Sequence, residues 1–131
     1  MTLPSDRPRK ILLIEDDAWI RRPIQDALLD EGYEVVEAAD GRTGLRLAKE
    51  YEPDLVLLDL AMPEFTGIDV LHNLKQAPGT RALPVLIMSA YKSVMPEQDM
   101  GSVVGVLSKP LDVDALLVAI RDSLGTAERE L

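Results

Sequence analysis

The chain has no cysteine, which excludes disulfides and thiolate metal sites and makes a reducing cytoplasm the simplest compartment. It is also short of positive charge: 14 Lys and Arg stand against 23 Asp and Glu, a net charge of −9 with a pI near 4.5. Nucleic acid and anionic membranes would repel such a chain, so the expected partners are proteins. Long apolar runs are missing as well. The longest, such as Leu55 to Leu58 and Val85 to Met88, fall far below the length that spans a bilayer, and the amino end lacks the apolar segment of a signal peptide. No tandem repeat is visible. What is present is 47% apolar and 28% charged residues over 131 positions. That is the composition of one globular domain, large enough to bury a core and too small to leave room for a second.

The informative stretch runs from Pro53 to Pro63, where the apolar run Leu55 to Leu58 stops on the carboxylate of Asp59. An unbroken apolar run bounded by prolines reads as a short strand covered on both faces, as in a parallel sheet. Asp59 then stands at a strand's carboxyl end, where open α/β sheets bind ligands. It reads equally well, on this stretch alone, as the first residue of a turn.

Ile11 to Ile14 is a second such run, and it ends on Glu15, Asp16 and Asp17. From Ala18 the period changes to that of a helix with Ile20, Ile24, Ala27 and Leu28 on one face and Gly32 as the stop. Pro23 is an irregularity in it. Val35 and Val36 mark a short extended segment, and Asp40 offers an N-cap for a helix that carries Leu45, Ala48 and Tyr51 inward. Ile68, Leu71 and Leu74 mark a further helix, ended by Pro78 and Gly79. Leu83 to Met88 reads as the fourth strand, leading to Ser89, and Val103 to Leu107 as the fifth, leading to Lys109 and Pro110. A last helix has Asp112 as cap and Val113, Leu116, Leu117, Ile120 and Leu124 as its apolar face. Strands alternating with helices predict βαβ units and a doubly wound five-stranded parallel sheet. Pro96 and Gly101 interrupt residues 91–102, so a fourth helix there is expected to be short or distorted.

In a parallel sheet, Glu15, Asp16, Asp59, Ser89 and Lys109 all reach one rim. Crowded carboxylates raise one another's proton affinity unless a cation sits among them. Mg²⁺ suits such a set, because it prefers hard oxygen ligands and is usually held by one or two carboxylates plus phosphate oxygens. Asp59 would attack phosphorus in line, Lys109 would neutralise the transferred oxygens, and the Ser89 hydroxyl would donate to one of them. The plainer readings are specific too. Asp17 reads as a helix cap, Ser89 as a strand-end hydroxyl, His72 as a solvated ring off its helix's apolar face, and Trp19 as partly packed near the site mouth.

These motifs, in this order and spacing, resemble the receiver domain of two-component response regulators, close in length to the stand-alone chemotaxis type. The match runs from Arg9 to about Leu124, with a lead-in over residues 1–8 and a polar tail over residues 125–131. The resemblance implies a flavodoxin-like strand order 2-1-3-4-5 with helices on both faces. It implies Asp59 as phosphoacceptor, Asp16 as a direct Mg²⁺ ligand, Glu15 as one mainly through water, and the Ala61 carbonyl as a further ligand. It also implies Ser89 as the hydroxyl switch residue, Lys109 as the conserved-type cation with a cis bond to Pro110, and a histidine kinase or phosphotransfer protein as donor. A downstream protein, or a second copy of the chain as a homodimer, would read the modification.

Two departures stand out. The position three before the lysine, often Tyr or Phe in the family, is Val106, and the stretch from Ser89 to Lys109 is short. Ala61 and Tyr91 occupy positions that tune phosphoaspartate hydrolysis in the family, and Ala61 offers no group to orient water, so slow self-dephosphorylation is expected. Three other readings compete. A pseudo-receiver scaffold would never turn over phosphate. An aspartyl-phosphate phosphatase of the haloacid dehalogenase type would need a second Asp where Ala61 stands. A flavin-binding protein would need a phosphate loop after the first strand, which the chain lacks.

Overall fold

An apolar run such as Leu55 to Leu58 is buried on both faces only if helices cover both sides of its sheet, and that is the arrangement found. The computed structural model describes residues 7–90 and 95–129. The chain runs β1 (Lys10–Ile14), α1 (Ala18–Asp30), β2 (Glu34–Ala38), α2 (Gly41–Tyr51), β3 (Leu55–Asp59), α3 (Gly67–Gln76) and β4 (Val85–Ala90). A 3₁₀ segment (Glu97–Ser102), β5 (Gly105–Lys109) and α4 (Val113–Arg129) complete it. All neighbours in the sheet are parallel, in the order β2-β1-β3-β4-β5. The winding reverses between β1 and β3, which leaves a crevice at their carboxyl ends.

Strand alternation divides the core in two. Leu12, Ile14, Val56, Leu58 and Ile87 face α2 and α3, where Leu47, Val70, Leu71 and Leu74 meet them. On the opposite face, Ile11, Leu13, Leu55, Leu57 and Met88 pack with Ile24 and Leu28 of α1 and with Leu116 and Ile120 of α4. The register places Ile14 beside Leu58, Asp59 beside Met88, and Ala90 beside Lys109, so the carboxyl ends are level. Side chains start the helices there: Asp17 accepts from Trp19 N at 2.8 Å, Asp40 accepts from Thr43 N at 2.8 Å, and Thr66 forms a capping box with Asp69. No helix among the described residues is long and apolar enough to cross a membrane.

Several sequence expectations need correction. Tyr51 ends α2 facing outward, and Leu47 holds the buried position, with Leu45 partly buried. The Lys10 ammonium bonds the Tyr51 carbonyl at 3.0 Å and lies over its ring, which suits an exposed aromatic. Val113 opens α4 at the surface, one turn before the buried Leu116. β4 and β5 both begin two residues later than the apolar runs suggest, because the ladder continues through Ser89–Ser108 and Ala90–Lys109 to the sheet's end. Among the described residues, the fourth helical segment is a 3₁₀ stretch, short as expected. α4 continues past Leu124 and through Gly125 to Arg129, so the stretch read as a polar tail begins within a helix. One glycine costs about 1 kcal/mol there, too little to end a helix held by its buried face. Residues 1–6 of the lead-in, and Tyr91, lie outside the described residues.

Candidate functional site

β1 and β3 are adjacent and parallel, so the residues that follow their last apolar positions converge. Glu15 leaves β1 fully buried, its backbone N–H donating to the Ala38 carbonyl at 3.0 Å. Asp59 ends β3 with 1% of its surface exposed. Asp16 is exposed beside them, and carboxylate oxygens of Glu15, Asp16 and Asp59 all lie within 4.8 Å of one another. The cation comes from the sheet's edge. Lys109, at the end of β5, extends past β4 and donates from Nζ to Glu15 Oε1 at 2.6 Å and to Asp59 Oδ1 at 3.0 Å.

The electrostatics follow from burial. Loss of water pushes the Glu15 carboxyl up to about 7, and the neighbouring Asp59 charge acts the same way, against the Lys109 bond and a bond from Asp17 N at 3.1 Å. Burial alone would lower the Lys109 ammonium, but its bonds to Glu15 and Asp59 outweigh that and raise it, so it stays charged. One lysine therefore serves two buried carboxylates, with Asp16 open to solvent. Three hard oxygen donors with an excess of negative charge fit a small divalent cation such as Mg²⁺.

The remaining expected residues fall around this centre. Ser89 is buried at the end of β4, its hydroxyl donating to the Ala90 carbonyl at 3.1 Å. Ala61 donates its backbone N–H to Asp59 Oδ1 at 3.3 Å, and its side chain is exposed. The Lys109–Pro110 peptide is cis. Val106 stands on the outer face of β5 and is 37% exposed. Asp17 caps α1 as read. Trp19 is corrected: it is 90% exposed, on the first turn of α1, with no packing role. His72 is half exposed, but its ring is bound: Nε2 lies 2.9 Å from Asp99 Oδ1 of the 3₁₀ segment.

One contributor escaped the sequence reading, and Gly67, a residue that helps carry the family resemblance, gains its physical reason. Arg21 donates to the Glu15 carbonyl at 2.7 Å and to Glu37 Oε1 at 3.1 Å, bracing the end of β1 against β2. The available signal was Glu37, a second acid in β2, placed after Val35 and Val36 near the end of the strand that meets the rim. At Gly67 a Cβ would strike the Asp59 carbonyl oxygen and lie 2.7 Å from Leu60 Cα, so only glycine lets α3 start this close to the end of β3.

A family model described as the response regulator receiver domain matches residues 11–121. The chain is 30% identical over 122 residues to the polar-differentiation response regulator DivK of Brucella anthropi, covering 92% of this chain and 99% of that protein. It is 36% identical over 117 residues to the transcriptional regulatory protein PdtaR of Mycobacterium tuberculosis, covering 86% of this chain and 55% of that relative, about half its length. Among solved structures, the chemotaxis protein CheY4 of Vibrio cholerae matches with a TM-score of 0.81 at 29% identity, covering 90% of this chain and all of that one (100%).

Proposed function

The chain belongs to the response regulator receiver domain family, and we propose that it takes a phosphoryl group onto Asp59 and signals through a changed affinity for a partner protein. The observation that carries this reading is the Lys109 ammonium placed between Glu15 and Asp59, with Asp16 alongside. A histidine kinase or phosphotransfer protein would be the donor and a further protein the reader, with a cytoplasmic setting and a receiver unit spanning residues 9–124.

Glu15, Asp16, Asp59 and the Ala61 carbonyl would hold Mg²⁺, which when bound supplies neutralisation of the phosphoryl oxygens. An Asp59 carboxylate oxygen attacks phosphorus as the donor's bond to phosphorus breaks, and the donor keeps that electron pair. Lys109 exchanges its bond to Asp59 Oδ1 for one to a transferred oxygen, and the Ser89 hydroxyl turns from the Ala90 carbonyl to donate to another. Such a group biases conformations the chain already populates, through the different contacts each makes with it. With Ala61 offering no polar group to orient water, the phosphoform is slow to hydrolyse.

A scaffold without phosphoryl turnover draws support from Val106, which has no ring to swing inward. Intact mass after incubation with acetyl phosphate and Mg²⁺ separates the two. A one-phosphate gain in the parent and none in Asp59→Asn supports phosphoacceptance; no gain in either supports the scaffold.

A further inference from the structure

A cleft of about 420 Å³ opens beside the rim, between α1 and the β5–α4 turn. Ile20, Pro23 and Ile24 form one wall, and Pro110, Leu111 and Val113 form the other. Ala90 and the Lys109 stem close the end nearest the phosphoacceptor. Lys109 is the one polar side chain among these lining residues, and its Nζ is 3.0 Å from Asp59 Oδ1. The volume falls in the range of about 300–1,000 Å³ typical of small-molecule sites. Chemically, then, this is an apolar slot with a single cation at its inner end, and that cation already belongs to the phosphoryl-transfer site.

We propose that the cleft receives the hydrocarbon tail of an acyl phosphate, so that the chain prefers donors with about four to six carbons over acetyl phosphate. The proposal rests on Asp59 being the phosphoacceptor. Such a molecule joins an apolar tail to a phosphoryl group, matching a slot that runs from apolar walls to Lys109. In the reaction, the bond between phosphorus and Asp59 Oδ forms as the bond between phosphorus and the acyl oxygen breaks. The electron pair stays on that oxygen, a free carboxylate departs with its tail, and no proton is required.

Aliphatic acyl phosphates of different length have closely similar leaving groups, so a rate difference along the series reports the tail. Each fully buried methylene is worth about fourfold in binding, and butyryl phosphate is expected to phosphorylate the parent roughly tenfold faster than acetyl phosphate at subsaturating concentration. Phosphoramidate, which carries no acyl group, serves as reference, with intact mass as the readout and Mg²⁺ throughout. In Val113→Phe, which fills the slot from an exposed position, the butyryl-to-acetyl ratio is expected to fall to about one. In Leu111→Ala, which widens it, the ratio of hexanoyl to butyryl is expected to rise.

Phosphorylation by phosphoramidate with a flat acyl series, or with a ratio that Val113→Phe leaves untouched, overturns the proposal while leaving Asp59 as phosphoacceptor. Absence of any mass gain, phosphoramidate included, defeats the phosphoacceptor reading and the acyl proposal with it.

Discussion

β3 and β5 both deliver a residue to the site, and they are built in opposite ways. Every residue of β3 is buried, from Leu55 to Asp59, between helices on both faces. β5 is an edge of the sheet, and its residues alternate between half-buried and exposed, with Val106 facing out and Val104, just before the strand, exposed as well. Asp59 thus comes from the best-packed strand and its cation from the least-packed one, joined by the long flexible stem of Lys109. Local opening concentrates where apolar burial is thinnest. On the proposed function, a phosphoryl group that recruits Lys109 would act on the movable edge and leave the acid-bearing centre in place.

The strongest way to break that contrast is at the centre. In Gly67→Ala the new methyl meets backbone atoms of Asp59 and Leu60, which cannot give way as a side-chain tip would. The expected loss is on the order of 3 kcal/mol, read as a lowered denaturant midpoint, together with slower phosphorylation because Asp59 is displaced. A midpoint equal to the parent's would mean the centre is as yielding as the edge.

The buried charge gives the next largest effect. In the metal-free fold Glu15 is raised from 4.5 to about 7, chiefly by burial, so the folded chain holds a proton that the unfolded chain releases. That contribution to stability is fully present below about pH 4.5 and is lost as pH rises through 7. It amounts to ~3 kcal/mol at most. The metal-free protein is expected to show a Tm that falls between pH 5 and pH 8, and Glu15→Gln to flatten that fall. Mg²⁺ at pH 8 is expected to raise the parent's Tm more than the variant's. Parallel pH profiles for parent and variant would show that burial does not govern Glu15.

The same contrast explains what the sequence disclosed. The centre is legible because unbroken apolar runs ending in acid have few alternatives: Leu55 to Asp59 and Ile11 to Glu15 allow little but adjacent buried strands. Lys109 is legible because a lysine followed by proline stops a strand at the rim. The edge is less so. Val103 and Val104 look like strand, yet β5 starts at Gly105, since the ladder is set by pairing to β4 rather than by apolarity. Tyr51 and Val113 look like inward positions because helical spacing fixes a face without saying where it ends. His72 offered no local sign of a partner, because Asp99 lies 27 residues along the chain. Arg21 was hidden because one of its partners is the Glu15 backbone carbonyl, which no side-chain pattern reports, and the same holds for the reason behind Gly67, whose place in the motif was legible but whose contact with the Asp59 carbonyl was not.

The smallest effects lie at the edge itself. Asp99 has its Oδ1 bonded to His72, while its Oδ2 is buried without a partner. His72→Ala leaves both oxygens unpaired, a loss of about 1–2 kcal/mol for a buried acceptor. Much of that is expected to be relieved by the 3₁₀ segment opening to water, so faster amide exchange over residues 95–104 should exceed any change in the denaturant midpoint. Gly101, in the same segment, is the counterpart of Gly67: a Cβ there meets nothing within 4 Å, and its φ is not positive. Gly101→Ala should therefore be neutral or stabilise by about 0.5–1 kcal/mol, through a less flexible unfolded chain, and slow exchange over residues 95–104. Opposite signs for Gly67→Ala and Gly101→Ala would locate the strain at the acid-bearing centre and the slack at the edge. Equal losses at both positions would mean that β5 and its 3₁₀ segment are packed as tightly as β3, and phosphorylation would then have to move the sheet as a whole.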